Sequence, residues 1–211
     1  MYFDVHTHQF TNQQNVVEIV NQYPDEPFQN YPSYSIGIHP WRIEANNFPQ
    51  QLDLIEEHLS KPKCKALGEC GLDKRIETSL ELQKKVFIPQ LLLAEKYKKP
   101  VLLHCVAAFQ EIIEIKKELN LTVPLIIHGF TKNEQVAKSL YTNGFHLSFG
   151  KHLVRNPKME VVLKTVPTEF VFLETDGMEL SIFEIYKKAE QILGKDVKKI
   201  IEENFNNIFN Q

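Results

Sequence analysis

Histidines and carboxylates follow several short apolar stretches of this chain. The first is the run His6-Thr7-His8, and because alternate residues of a strand share a face, its two imidazoles would point the same way. The pattern recurs at Glu69, His104, His128 and Asp176. Imidazole nitrogens and carboxylate oxygens are protein ligands of divalent cations. The six residues therefore predict a divalent-metal site suited to hydrolysis by a metal-activated water.

The number of candidate ligands favours two metal ions. A pair of ions about 3.5–4 Å apart can stabilise both the attacking and the leaving oxygen of a displacement. One assignment places the six residues around two ions, with His6, His8 and Asp176 on the first, His104 and His128 on the second, and Glu69 bridging. Nitrogen and oxygen ligands suit Zn, Mn, Co or, with more water, Mg, and the residue types leave this choice open.

Strand-like and helix-like segments alternate along the chain. Eight segments favour strands: 2–6, 16–20, 34–38, 64–69, 100–104, 124–128, 145–149 and 170–174. Helical periodicity is clearest at 79–98 and weaker at 107–119, 132–143, 179–193 and 195–209. This alternation predicts an α/β fold, a (β/α)₈ TIM-type barrel, in which active sites lie at the carboxyl ends of the strands.

The predicted barrel is slightly truncated at its beginning. Such barrels typically have about 250 residues, whereas this chain has 211. The second strand follows the His6-Thr7-His8 motif so closely that the first helix must be shortened or missing, and residues 22–34 favour a loop. Since no internal repeat or linker is evident, we expect one hydrolase domain over residues 1–211.

Composition and charge restrict the class of protein. Hydrophobic residues make up 43% of the chain and charged residues 24%, as in ordinary globular proteins. The net charge of -3 argues against a protein that coats DNA through a basic face. No apolar run approaches the roughly 20 residues of a membrane helix. With no signal-like segment either, we expect no membrane partner and a cytoplasmic location.

The motifs, taken in order, resemble those of the TatD-type metal-dependent hydrolases, DNase-like members of the amidohydrolase superfamily. The matching stretches are FDVHTH (3–8), GIHPW (37–41), LGECGLD (67–73), LQKKVFIPQLLLAEKYKKPVLLHC (82–105), IIHGF (126–130), LETD (173–176) and NFNNIF (204–209). They span nearly the whole chain. The resemblance implies a (β/α)₈ fold, divalent metals held by the six residues described above, and nuclease-like phosphodiesterase activity.

The resemblance also implies roles for individual residues. Glu69 and Asp176 are expected to be catalytic, with Asp176 as a ligand and general base. His39, the histidine of GIHPW, is expected at the substrate phosphate, with Arg75 facing the same group. The chain departs from the family pattern at Val106, where an arginine is usual.

The loops that would determine substrate specificity are shortened in this sequence. The long loop that usually follows LETD is nearly absent, because Glu179 already favours a helix. A basic loop is predicted at Lys151, His152, Arg155 and Lys158. Either it contacts phosphates or it is simply solvated. Two roles also remain open for Trp41, namely stacking on a nucleobase and packing within its loop.

The expected activity is hydrolysis of a phosphoester, in DNA or another nucleic acid. Two alternatives remain open. One is hydrolysis of a C–N or C–O bond, which the same metals and water would support. The other is a metal- or partner-binding protein with weak activity, which the shortened loops favour. The sequence does not indicate an oligomeric state.

Overall fold

The structure is a computed structural model that describes residues 1–177 and 179–210. Its strands follow one another in a single sheet in chain order. They are β1 (Tyr2–Thr7), β2 (Val16–Gln22), β3 (Tyr34–Ile36), β4 (Cys64–Asp73), β5 (Val101–Val106), β6 (Leu125–Ile127), β7 (Phe145–Phe149) and β8 (Val171–Leu173). All eight predicted strands are confirmed, and β4 continues past its predicted end at Glu69.

Eight α-helices lie within the described residues. They are α1 (Phe48–Leu59), α2 (Leu80–Tyr97), α3 (Phe109–Glu118), α4 (Glu134–Thr142), α5 (Lys151–Arg155), α6 (Lys158–Thr165), α7 (Ile182–Leu193) and α8 (Val197–Phe209). The five predicted helices are confirmed as α2, α3, α4, α7 and α8. As predicted, residues 8–15 between β1 and β2 contain no helix.

Four helices differ from the sequence-based expectations. The prediction of a basic loop after β7 was wrong, because its residues form α5 and the start of α6. Helix α1 was missed altogether. Helix α7 begins at Ile182 rather than at Glu179, because Ser181 caps it: the Ser181 hydroxyl accepts the amide of Glu184, and the Glu184 carboxylate accepts the amide of Ser181.

The chain comprises two compact units. One contains Met1–Val20 with Ile126–Gln211, of which Gln211 lies outside the described residues, and the other contains Asn21–Leu125. The prediction of one domain over residues 1–211 stays a prediction. Across residues 1–177 and 179–210, no helix combines the length and the apolarity needed to cross a membrane.

In the first unit, helices α7 and α8 hold the first strand. The Tyr186 hydroxyl donates to the carbonyl of Phe3 at 3.1 Å and accepts its amide at 3.0 Å. The ring of Phe205 stacks on that of Phe3, with centroids 4.3 Å apart. Asn204 of α8 donates to the carbonyl of Val171 at 2.9 Å, at the start of β8. Two strands that end in candidate ligands are thereby fixed to the same pair of helices.

In the second unit, two buried glutamines of α2 fix the chain around the candidate ligands. Gln83 accepts the amide of Asp73 at 2.7 Å and donates to its carbonyl at 2.9 Å. Gln90 accepts the amide of Ile38 at 2.8 Å. Buried polar side chains persist in folded proteins when they are hydrogen-bonded in this way. These bonds hold the end of β4 and the segment that leads from β3 to His39.

Glu95, near the end of α2, binds the segment that precedes β6. Its carboxylate accepts the amides of Thr122 and Val123, at 2.9 and 3.2 Å, and the Thr122 hydroxyl at 2.5 Å. Burial alone would raise the pKa of Glu95. The hydrogen bonds from Thr122 and Val123, together with one from Lys98, instead lower that pKa to about 2.

Replacing Glu95 with alanine is expected to lower the free energy of unfolding by about 2–3 kcal/mol, because hydrogen bonds to charged groups contribute about 1.5–3 kcal/mol each. The pKa of Glu95 is lower in the folded chain than its ordinary value of 4.5. Its stabilising effect is therefore complete above that value and declines as the pH falls toward 2. Urea unfolding followed by circular dichroism, at neutral and acidic pH, measures both effects.

Glu118→Ala is the matched control, since Glu118 is an exposed glutamate at the end of α3. This variant should unfold at nearly the wild-type urea concentration. A Glu95→Ala variant as stable as Glu118→Ala, or one whose deficit grows as the pH falls, would contradict the role given to Glu95.

Candidate metal centre

The first cluster of candidate ligands lies in the first unit and contains His6, His8 and Asp176. Their ligand atoms all lie within 4.8 Å of one another. The Asp176 Oδ1 atom is 3.7 Å from His6 Nε2 and 3.6 Å from His8 Nε2. His6 is buried, whereas the other two side chains are about one-third exposed. The cluster is therefore anchored in the interior and open on one side.

Backbone pairing brings Asp176 to the end of β1. Thr7 and Asp176 form a parallel bridge. The His8 amide donates to the Asp176 carbonyl at 3.0 Å, and the Asp176 amide donates to the His6 carbonyl at 3.0 Å. Asp176 itself has a φ of 62°, in the left-handed region that few residues other than glycine, asparagine and aspartate adopt. Unusual backbone of this kind is concentrated at functional sites.

Asp4 fixes the residue that precedes Asp176. Its carboxylate accepts the Thr175 amide at 3.0 Å and the Thr175 hydroxyl at 2.6 Å. Burial raises the pKa of Asp4 to about 8, against the opposing effect of these two hydrogen bonds. Asp4 thus links the interior of β1 to the chain that leaves β8.

His128 lies in the same unit, directly after β6. Its ring centroid is 4.4 Å from that of His6. The His128 Nδ1 atom is 3.4 Å from Oε1 of Glu174, a fully buried carboxylate. The same Oε1 atom accepts the Gly129 amide at 2.6 Å. Glu174 therefore orients the segment that carries His128, as carboxylates commonly do behind metal-binding histidines.

The second cluster lies in the second unit and contains His39, Glu69 and His104, all buried. The Glu69 Oε1 atom is 2.9 Å from His104 Nδ1 and 3.2 Å from His39 Nε2. The sequence assigned His39 to the substrate phosphate. The structure places its Nε2 atom beside two predicted metal ligands, and the phosphate contact stays a prediction.

Glycines let Glu69 approach the neighbouring strand. The pairing of β4 with β5 shifts register between Leu67 and Cys70, which bracket this residue. A Cβ atom at Gly71 would overlap the carbonyl oxygen of His104, so only glycine fits at this crossing. The Asn21 side chain accepts the amide of Glu69 at 2.5 Å. This irregular part of β4 presents the Glu69 carboxylate to His104.

Asp73 lies behind His104, and no role for it was predicted from the sequence. Its Oδ2 atom is 3.4 Å from His104 Nε2 and accepts the Trp41 indole N–H at 2.8 Å. The Arg75 amide donates to Oδ1 at 2.8 Å, while the Arg75 side chain is exposed. Burial would raise the pKa of Asp73, but the hydrogen bonds from Trp41, Arg75 and His104 lower it.

Both clusters suit a divalent cation. Atoms bound at about 2.0–2.2 Å to one ion are separated by at most about 4.4 Å. The separations within each cluster, 3.6–3.7 Å in the first and 2.9–3.2 Å in the second, fall within that limit. The donors are nitrogen and oxygen, which suits Zn, Mn or Co, and Mg where more water completes the shell.

The sequence identified most of these positions. The structure brings together His6, His8 and Asp176 in one cluster and Glu69 with His104 in the other. It does not test the bridging role of Glu69, which stays a prediction, as does a phosphate contact for Arg75. Asp73 and Glu174 lie in the motifs LGECGLD and LETD, but the ligand roles in these motifs were assigned to Glu69 and Asp176.

Comparisons with known proteins show which proteins the chain is similar to. The "Uncharacterized metal-dependent hydrolase YabD" of Bacillus subtilis is 33% identical over 147 residues, which cover 67% of this chain and 57% of that protein. The "3'-5' ssDNA/RNA exonuclease TatD" of Edwardsiella piscicida is 30% identical over 170 residues, covering 77% of this chain and 65% of that protein. The chain thus spans little more than half the length of YabD and under two-thirds of the exonuclease.

A solved structure matches the whole fold. The TatD homologue YjjV from Escherichia coli K12 superimposes with a TM-score of 0.85 at 22% identity, covering 100% of this chain and 98% of that one. This similarity, with the eight parallel strands, confirms the (β/α)₈ class predicted from the sequence. The family model for TatD-related DNases matches residues 3–210. The chain therefore belongs to the TatD-related DNase family.

Proposed function

We propose that this chain is a divalent-metal-dependent hydrolase that cleaves phosphoester bonds of a nucleic acid. The observation that carries the proposal is the pair of histidine–carboxylate clusters in a member of the TatD-related DNase family. The name of the Edwardsiella relative, an exonuclease of single-stranded DNA and RNA, supports a nucleic-acid substrate.

Each cluster would hold one ion. His6, His8 and Asp176 form the first set of ligands, with His128 beside His6. Glu69 and His104 form the second. When bound, such ions lower the pKa of a coordinated water toward about 7 and stabilise charge on phosphoryl oxygens. Zinc, manganese, cobalt and magnesium all suit these donors.

Asp176 is the proposed general base. Its Oδ1 atom faces the two histidines of β1, and its Oδ2 atom lies 4.0 Å from Lys151 Nζ. The Oδ2 atom would accept the proton from the attacking water. Because the Asp176 side chain is about one-third exposed, water can reach it. The left-handed backbone of Asp176 and its bridge to Thr7 hold the carboxylate at the end of β1.

His39 would bind the substrate phosphate, beside Glu69 and His104. Its Nδ1 atom accepts the amide of Trp41 at 3.1 Å, so in this arrangement the proton of the neutral ring resides on Nε2. The Nε2–H group is then the donor available to Glu69 Oε1 at 3.2 Å or to a phosphoryl oxygen. Arg75, exposed on the loop after β4, is proposed to contact the same phosphate.

Metal content tests the assignment of ligands. The metal-free chain, reconstituted with zinc or manganese and dialysed, should retain two ions by elemental analysis. His8→Gln and His104→Gln should each retain about one, because each removes a ligand of a different cluster. His152→Gln, a change at an exposed histidine of α5, should still retain two. A His8→Gln or His104→Gln variant that keeps both ions would contradict the assignment.

Cleavage of a single-stranded oligonucleotide tests the activity. Chelation should abolish it, and added metal should restore it. Asp176→Asn is expected to lower kcat by about 100-fold or more, since general acid–base catalysis typically contributes about 10²–10⁴. Circular dichroism and metal analysis of the variant separate a loss of chemistry from a loss of fold or metal. If the metal-loaded wild-type chain cleaves no oligonucleotide and no small phosphodiester, the proposal is wrong.

A further inference from the structure

Trp41 is a large apolar side chain that the fold leaves in solvent. It lies in the 3₁₀ turn Pro40–Arg42 that follows β3, and it is 65% exposed. Packing within its loop, one of the two roles left open by the sequence, does not account for such exposure. Single exposed apolar residues are common on protein surfaces, so the argument for a ligand contact depends on how this indole is held and on what lies beside it.

Although exposed, the indole is held in a fixed orientation. Its N–H donates to Asp73 Oδ2 at 2.8 Å, and the backbone N–H of Trp41 donates to His39 Nδ1 at 3.1 Å. Asp73 is buried and is itself held by the Arg75 amide and by Gln83. A residue held through both its indole and its backbone loses little conformational freedom when it contacts a ligand.

The indole also lies directly beside the second ligand cluster. Its ring centroid is 4.9 Å from that of His39 and 5.4 Å from that of His104, and both contacts are edge-to-face. The next residue, Arg42, does not offer a competing phosphate contact, because its guanidinium pairs with Asp25 and Glu26 and lies over the ring of Tyr23. This side of the cluster therefore offers an apolar aromatic surface and no unpaired cation from Arg42.

We propose that Trp41 is a stacking platform for a nucleobase of the substrate, oriented by its hydrogen bond to Asp73. The inference rests on the proposed function, since a base would reach the indole when its phosphate lies at the cluster of His39, Glu69 and His104. Stacking on an aromatic side chain strengthens binding by about 5- to 150-fold per base and tolerates any base. Trp41 would thus favour substrates with an unpaired base next to the scissile bond.

The fluorescence of the chain reports on this contact directly, because Trp41 is its only tryptophan. The metal-loaded protein is titrated with a hydrolysis-resistant phosphorothioate oligonucleotide, and separately with the same backbone carrying abasic sites. Saturable quenching by the first and little quenching by the second is the expected result. Equal responses to the two, or none to either, would overturn the proposal.

Substitutions at Trp41 separate the ring from its anchor. Trp41→Leu should weaken binding of the base-containing oligonucleotide by about 5- to 150-fold and leave abasic binding unchanged. Trp41→Phe keeps an aromatic face but loses the bond to Asp73. Its affinity for the base-containing oligonucleotide should therefore lie between those of the wild type and Trp41→Leu. Phe28→Leu is the matched control: Phe28 is a partly exposed aromatic residue that contacts Tyr34 and His58, outside the ligand cluster. Dye-labelled oligonucleotides and fluorescence anisotropy give these affinities.

The outcomes distinguish this inference from the proposed function. Base-dependent quenching in a protein that hydrolyses no phosphoester would leave the platform standing and overturn the activity. Hydrolysis of oligonucleotides with no difference between Trp41→Leu and wild type, on either backbone, would overturn the platform and leave the activity. Folding of each variant is checked by circular dichroism.

Discussion

Burying a carboxylate is unfavourable unless hydrogen-bond donors or cations surround it, and this constraint sets the geometry of the strand ends. Four carboxyl groups are buried in or next to the strands that carry the candidate ligands, namely Asp4, Glu69, Asp73 and Glu174. Three of them accept hydrogen bonds from a neighbouring segment: Asp4 from Thr175, Asp73 from Trp41, and Glu174 from Gly129. The donors that bind these carboxyl groups therefore also fix the segments that carry the candidate ligands.

Glu69 differs from the other three, because two histidines face its carboxylate. The imidazoles of His39 and His104 both lie within hydrogen-bonding distance of one oxygen. A buried carboxylate between two imidazoles is a favourable environment for a divalent cation, which stabilises all three groups at once. Asp73 then supports His104 from behind and Trp41 from the side, so the ligand cluster and the exposed indole share one anchor.

Several basic side chains on the surface pair with acidic residues of the chain. Lys151 and Arg155 both pair with Glu179, and Arg42 pairs with two acidic residues. With a net charge of -3, the chain offers a phosphodiester no general attraction. Under the proposed function, the charge that attracts and stabilises the substrate would come chiefly from the two metal ions, and affinity for a nucleic acid would depend on local contacts such as stacking.

The sequence predicted the strands well because the apolar pattern of a strand is visible in a short stretch of sequence. Runs of apolar, β-branched residues between Gly, Pro and polar segments identified all eight, and caps or periodicity identified α2, α3, α4, α7 and α8. Helices α5 and α6 were missed because they are short, of 5 and 8 residues, and rich in basic residues that favoured a loop. Helix α1 was missed although a proline stands in its first turn, a position that suits helix starts.

The sequence by itself determined which residues are the candidate ligands, because their chemistry and their places at the ends of apolar runs are visible in the order of the chain. The tertiary structure decided which of them meet. The bridge between Thr7 and Asp176, the register shift in β4 and the support from Asp73 and Glu174 join residues far apart in sequence. The exposure of Trp41 was likewise undetermined, since burial depends on neighbours that only folding supplies.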